Sequence, residues 1–88
     1  MNCDAANARR LVEASIRQRN VVARLDELGL LYTMDERLVG AALLRRENPQ
    51  SSLSELGAMQ DPPVSKAVMQ SRMRRLQVAF ERATSGSG

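Results

Sequence analysis

The stretch SLSELGAMQDPPVSKAVMQSRMRRLQVAF, Ser52 to Phe80, decides how this chain folds. Ser52-Leu53-Ser54-Glu55 is a capping box, in which a serine and a glutamate three residues on satisfy each other's backbone donors, and it opens a short helix ending near Gln60. Asp61-Pro62-Pro63-Val64 cannot continue that helix, because paired prolines impose an extended corner. Ser65 then caps a last helix. Along it Met69, Met73, Leu76 and Phe80 recur at spacings of four, three and four, which is one face. Lys66, Ala67, Gln70, Ser71 and Arg74 fall on the opposite arc, flanked by Arg72, Arg75 and Arg82. Two helices joined at a tight corner, the second basic outside and apolar inside, are the layout of a helix-turn-helix. The corner is longer than in the simplest version of that motif.

Gly57 stands in the middle of the short helix, where glycine costs about 1 kcal/mol relative to alanine. Either another helix packs closely against it, as the crossing of a helix-turn-helix requires, or it is a tolerated weak spot in a short element. Leu53, Leu56 and Met59 form the apolar stripe of this helix.

Working back toward the start, Asp4 is a suitable cap for a long helix from Ala5 to Leu28, a span without proline or glycine. Leu11, Val12, Ile16, Val22, Leu25 and Leu28 supply its apolar periodicity, and Gly29 its left-handed stop. Thr33-Met34-Asp35-Glu36 reads as a second capping box, opening a helix through Arg46. Leu38, Ala41, Ala42 and either Leu44 or Arg45 mark its buried side. Arg45 and Arg46 occupy its last turn, where the helix dipole favours cations, and Asn48-Pro49 ends it. The organisation expected is one all-α domain of four helices over residues 1–84, followed by a flexible Ser-Gly tail over residues 85–88.

Composition narrows the function. Thirteen basic against ten acidic residues leave a charge of +3, and five of the thirteen basic residues lie between Lys66 and Arg82, a clustered footprint suited to a polyanion. Tyr32 and Phe80 are the only aromatics, too few for a surface that stacks single-stranded bases. With no histidine and one cysteine, Cys3, the chain lacks a histidine-based catalytic triad, the common zinc ligand sets and any internal disulfide. No enzyme constellation, cofactor motif or metal set stands out, and no apolar run approaches the roughly 20 residues of a membrane helix.

A recognition helix needs an apolar stripe to seat it, small or polar residues in its first turns, and cations for phosphates. The segment Ser65 to Arg75 has all three. Lys66, Gln70 and Arg74 are assigned to base edges, since glutamine pairs best with adenine and arginine or lysine with guanine. Ala67 is small enough to admit a thymine methyl. Arg72 and Arg75 are assigned to phosphates, which set register. Ser52 and Ser54 offer hydroxyls and amides to a phosphate at the start of the preceding helix. A basic amphipathic helix taken alone is commonly no more than a solvated face. The alternative function is a helical adaptor docking on a protein, such as a sigma factor or polymerase subunit, through the long first helix or the basic face.

Several motifs resemble the C-terminal helix-turn-helix domain of the WhiA family of bacterial sporulation and cell-division regulators, in its actinobacterial form. They are Asn2-Cys3-Asp4-Ala5-Ala6-Asn7 with Arg10, Leu43-Leu44-Arg45-Arg46-Glu47-Asn48-Pro49, Ser52-Leu53-Ser54-Glu55-Leu56-Gly57, Asp61-Pro62-Pro63-Val64-Ser65-Lys66 and Arg72-Met73-Arg74-Arg75-Leu76. The resemblance runs from Asn2 to about Arg82. It implies a bundle similar to the sigma-factor domain that reads the −35 promoter element, and a preceding domain resembling LAGLIDADG homing endonucleases without nuclease activity. It also implies binding of double-stranded promoter DNA beside RNA polymerase holoenzyme, in concert with a WhiB-like iron–sulfur regulator, in the cytoplasm at the nucleoid. Ala67, Gln70 and Ser71 depart from the family's usual residues on the reading face. Asn7, Arg10 and Gln18 match its polar positions on the first helix, where they serve either helix packing or, for Arg10, a phosphate.

Overall fold

The computed structural model describes residues 2–85, with side chains for residues 8–85. Among them are four α-helices and no strand: α1 (Asn2–Glu27), α2 (Glu36–Glu47), α3 (Leu53–Ala58) and α4 (Lys66–Ser85), with a 3₁₀ turn at Leu31–Thr33 between α1 and α2. The all-α, four-helix expectation holds. Helix α1 begins at Asn2, so Asp4 lies inside it; the side chain of Asp4 falls outside the described residues. At the other end of the chain, Ser85 is still helical, and Gly86 to Gly88 also lie outside them.

The helix ends follow their chemistry. Gly29 takes φ +74°, and two backbone bonds close the turn, Gly29 N–H to the Asp26 carbonyl and Leu30 N–H to the Leu25 carbonyl, each 3.0 Å. This is a Schellman motif, and its apolar pair is Leu25 with Leu30. The start of α2 differs from expectation. Asp35, not Thr33, is the cap: its carboxylate accepts from Arg37 N–H at 2.8 Å. The Thr33 hydroxyl instead donates to the Leu30 carbonyl at 2.6 Å, closing the 3₁₀ turn. That turn leaves too little chain for a cap at Thr33. The capping box of α3 forms as read, with Glu55 N–H on Ser52 Oγ at 3.1 Å and Ser52 N–H on Glu55 Oε1 at 2.9 Å.

Val22 and Leu25 of α1, Leu31, Ala41 and Ala42 of α2, Leu56 of α3, and Met69, Met73 and Leu76 of α4 form the core. Two alanines on α2 let α1 and α4 approach it from either side. Phe80 packs at the edge, half-buried. Five residues expected on buried apolar faces are exposed. Leu11, Val12 and Ile16, on the first half of α1, are 64%, 58% and 47% exposed, because that half extends beyond the core. Leu28 is 47% exposed past the Schellman turn, and Met59 is 46% exposed beyond the end of α3.

Arg45, not Leu44, takes the deepest place at the end of α2, only 3% exposed. Its Nη1 donates to the Ser51 carbonyl at 2.8 Å and to Ser15 Oγ at 3.1 Å, with longer bonds to the carbonyls of Asn48 and Pro49. Ser15 Oγ in turn donates to the Pro49 carbonyl. This arginine pins the loop between α2 and α3 onto α1. Burial, with Arg19 nearby, lowers its pKa below the ordinary arginine range.

Candidate nucleic-acid interface

The corner between α3 and α4 is built around Gly57. A Cβ added there would fall against the Val64 carbonyl oxygen, with Met69 Cγ at 3.2 Å and the Ser65 carbonyl oxygen at 3.3 Å. The glycine is therefore a packing requirement, and the close partner is the backbone of the corner together with the first buried side chain of α4. The Gly57 carbonyl accepts from Val64 N–H at 2.9 Å, fastening the corner to α3. Ser65 caps α4 as read, its Oγ accepting from Val68 N–H at 3.3 Å.

With Met69, Met73 and Leu76 buried, the orientation of α4 is set. Ser65, Lys66, Ala67, Gln70, Ser71, Arg74 and Arg75 are all exposed, and Arg72 is half-buried. Ser54 is exposed and Ser52 half-buried at the start of α3, its hydroxyl held in the cap. A turn of about 100° per residue puts Ala67, Ser71 and Arg74 opposite the buried stripe, and Lys66 and Gln70 to one side of that line. On the other side, Ser71, Arg72 and Arg75 share a notch of about 220 Å³ with Asp35, Arg37 and Leu38 at the start of α2.

This notch adds a residue that the sequence reading missed. Arg37 is exposed on the first turn of α2, beside two arginines of α4. Three guanidiniums and the Ser71 hydroxyl line one depression together with the Asp35 carboxylate, which accepts from the Arg37 N–H. Its signal in the sequence was a cation within two residues of a helix cap, which is unfavourable for the helix dipole and so called for a reason outside the helix.

Of the polar residues on α1, Arg10 is exposed and Gln18 is half-buried, while the side chain of Asn7 lies outside the described residues. Gln18 Oε1 and Arg45 Nε are buried without hydrogen-bond partners.

The family model of the WhiA C-terminal helix-turn-helix domain matches residues 1–79. The chain belongs to this family. Among curated relatives, a probable cell division protein WhiA of Streptomyces coelicolor is 39% identical over 87 residues, covering 99% of this chain and 26% of that protein. Those of Clostridium novyi and Carboxydothermus hydrogenoformans are 39% and 32% identical, covering 92% and 99% of this chain. The chain spans about a quarter of the length of these relatives, 26% and 28% of the latter two. No solved structure matches the chain. No helix among the described residues is long and apolar enough to cross a membrane.

Proposed function

We propose that this domain binds double-stranded DNA with sequence preference by laying α4 in the major groove. The observation that carries the reading is the orientation of α4: Met69, Met73 and Leu76 of its apolar stripe are buried, and its outer arc presents Lys66, Gln70, Ser71 and Arg74 with no acidic residue among them. Lys66, Gln70 and Arg74 read base edges, Ala67 admits a thymine methyl, and Arg72, Arg75 and Arg37 hold phosphates on the α2 side. Ser52, Ser54 and Ser65 serve the sugar–phosphate backbone at the two helix starts. The role is non-catalytic and requires no cofactor.

Membership of the WhiA family supports the wider setting: a transcription regulator of cell division and sporulation, working in the cytoplasm at nucleoid promoters with RNA polymerase holoenzyme and a WhiB-like regulator. Electrophoretic shift of promoter fragments across a salt series tests the DNA reading. Neutralising three to five phosphates gives a log–log slope of about −3 to −4.5. A flat salt response refutes it. Arg74→Ala should weaken specific binding by about 1–3 kcal/mol and relax preference at one base pair, whereas Arg37→Ala should weaken all sequences alike and reduce the slope by about 1.

A further inference from the structure

A groove of about 690 Å³ runs between the first half of α1 and the loop that leads into α3. Its walls include Leu11, Val12, Ile16 and Leu53; its floor includes Ser15 and the buried Arg45. The exposed edge is a single helical line, Arg9, Val12, Ile16 and Arg19, at spacings of three, four and three residues. Two apolar side chains are thus bracketed by two cations over about 15 Å. Arg9 and Arg19 are both exposed, and neither forms an ion pair among the described residues.

A lone exposed leucine needs no explanation, but a contiguous apolar line over a groove does. The charges select what covers it. Two copies of this chain pairing through the line would set arginine against arginine in either direction: Arg9 on Arg19 if antiparallel, like on like if parallel. Such pairing is opposed by repulsion. DNA matches the cations but not the aliphatic residues between them. Among the described residues Glu55, at the α3 end, is the one acid lining the groove; Arg19 and the buried Arg45 outnumber it, and Arg45 has no carboxylate partner there, so the lining is net positive and favours incoming negative charge.

We propose that this groove is a docking site for an amphipathic helix of a protein partner, whose apolar residues lie over Val12 and Ile16 and whose carboxylates meet Arg9 and Arg19. The groove includes no residue of α4 and shares only Ser52 with the DNA-contacting residues proposed above, so the two readings can fail independently.

The probe is a fluorescein-labelled helical peptide of about 16 residues, roughly 24 Å long, with leucines along one face and glutamates at both ends of that face. Anisotropy titration with the 88-residue chain should give saturable binding, and a peptide with lysines replacing the glutamates should not bind. Val12→Asp combined with Ile16→Asp should weaken binding at least tenfold while leaving the DNA shift unchanged. Arg9→Glu combined with Arg19→Glu should abolish binding of the glutamate peptide and confer binding of the lysine peptide. Because Arg9 and Arg19 are both exposed, this reversal keeps the test decisive if the Val12/Ile16 variant fails to fold. Equal binding of both peptides, binding indifferent to these variants, or no binding overturns the proposal. So does a self-association that Val12→Asp abolishes, or a loss of DNA binding in the Val12/Ile16 variant with the fold intact.

Discussion

Replacing either of two helical glycines by alanine should move stability in opposite directions, and the structure sets both signs. In a helix interior alanine is better than glycine by about 1 kcal/mol, through backbone entropy. Gly40 lies mid-way along α2, and a Cβ there meets only Gln60 Oε1, at 3.7 Å, an ordinary contact with a mobile side-chain end. Gly40→Ala should therefore gain about 0.5–1 kcal/mol. At Gly57 the same entropic gain competes with a clash. The obstructing atoms are the carbonyl oxygens of Val64 and Ser65, with Met69 Cγ between them. Backbone bound to α3 through the Val64 N–H cannot swing aside like a side chain. Overpacking of this kind costs about 1–3 kcal/mol, toward the upper end where backbone must move. The net for Gly57→Ala is a loss of about 1–2 kcal/mol, or a melting point roughly 5–15 °C lower in a domain of this size. Urea unfolding followed by helical circular dichroism measures both variants on one scale. An unchanged slope with a lower midpoint for Gly57→Ala, and a higher midpoint for Gly40→Ala, is the expected pattern. A Gly57→Ala domain as stable as the parent would refute the packing account of the corner.

Further tests probe the caps and the loop. Ser52→Ala removes the acceptor for Glu55 N–H and should cost about 1 kcal/mol in the same assay. Arg45→Met keeps the volume but strips donors from Ser15 Oγ and the Ser51 carbonyl; a loss of about 1–3 kcal/mol is expected, and a neutral result would show that the loop does not depend on this arginine. The Ser52 backbone donor holds the Glu55 carboxyl below its ordinary 4.5. A group whose folded pKa is depressed stabilises the fold above its unfolded value and loses that contribution as pH falls through the folded one. The advantage of the parent over Glu55→Gln should thus be complete at neutral pH and shrink progressively as pH falls below the ordinary glutamate value.

Most of the fold was legible because its boundaries are chemical. Ser52 with Glu55, Gly29, and the paired prolines each admit few backbone solutions, and each does in the structure what its chemistry requires. The stripe of Met69, Met73 and Leu76 was legible for a related reason: a core must cover it, and the opposite arc is too charged to serve. Thr33 and Asp35 illustrate a limit. Both are good caps two residues apart, and the choice between them depends on how much chain the Gly29 turn consumes before α2, a tertiary matter. Arg37 was missed because its companions Arg72 and Arg75 come from another helix. Periodicity sorts residues within one element and is silent about juxtaposition between elements.

The largest misreading has a geometric cause that lengths alone expose. Helix α1 has 26 residues, whereas α2, α3 and α4 have 12, 6 and 20. At 1.5 Å per residue α1 spans about 39 Å and its neighbour α2 about 18 Å. A short helix cannot cover a long one, and the residues of α1 in the core begin only at Val21 and continue through Val22 and Leu25, with Ser15 buried earlier against the loop. Leu11, Val12 and Ile16 keep the periodicity of a buried face where no neighbouring helix covers them. The same overhang explains Arg45. Where α2 gives out, the loop of Asn48, Pro49 and Ser51 must close the gap to α1, and its carbonyls need a buried donor with long reach; an aliphatic residue would leave them unpaired. An apolar line outside and a cation inside are thus two consequences of one mismatch. They meet in the groove where α1 outlasts its partners, and this is why the groove, more than the core, carries information that helical periodicity could not show.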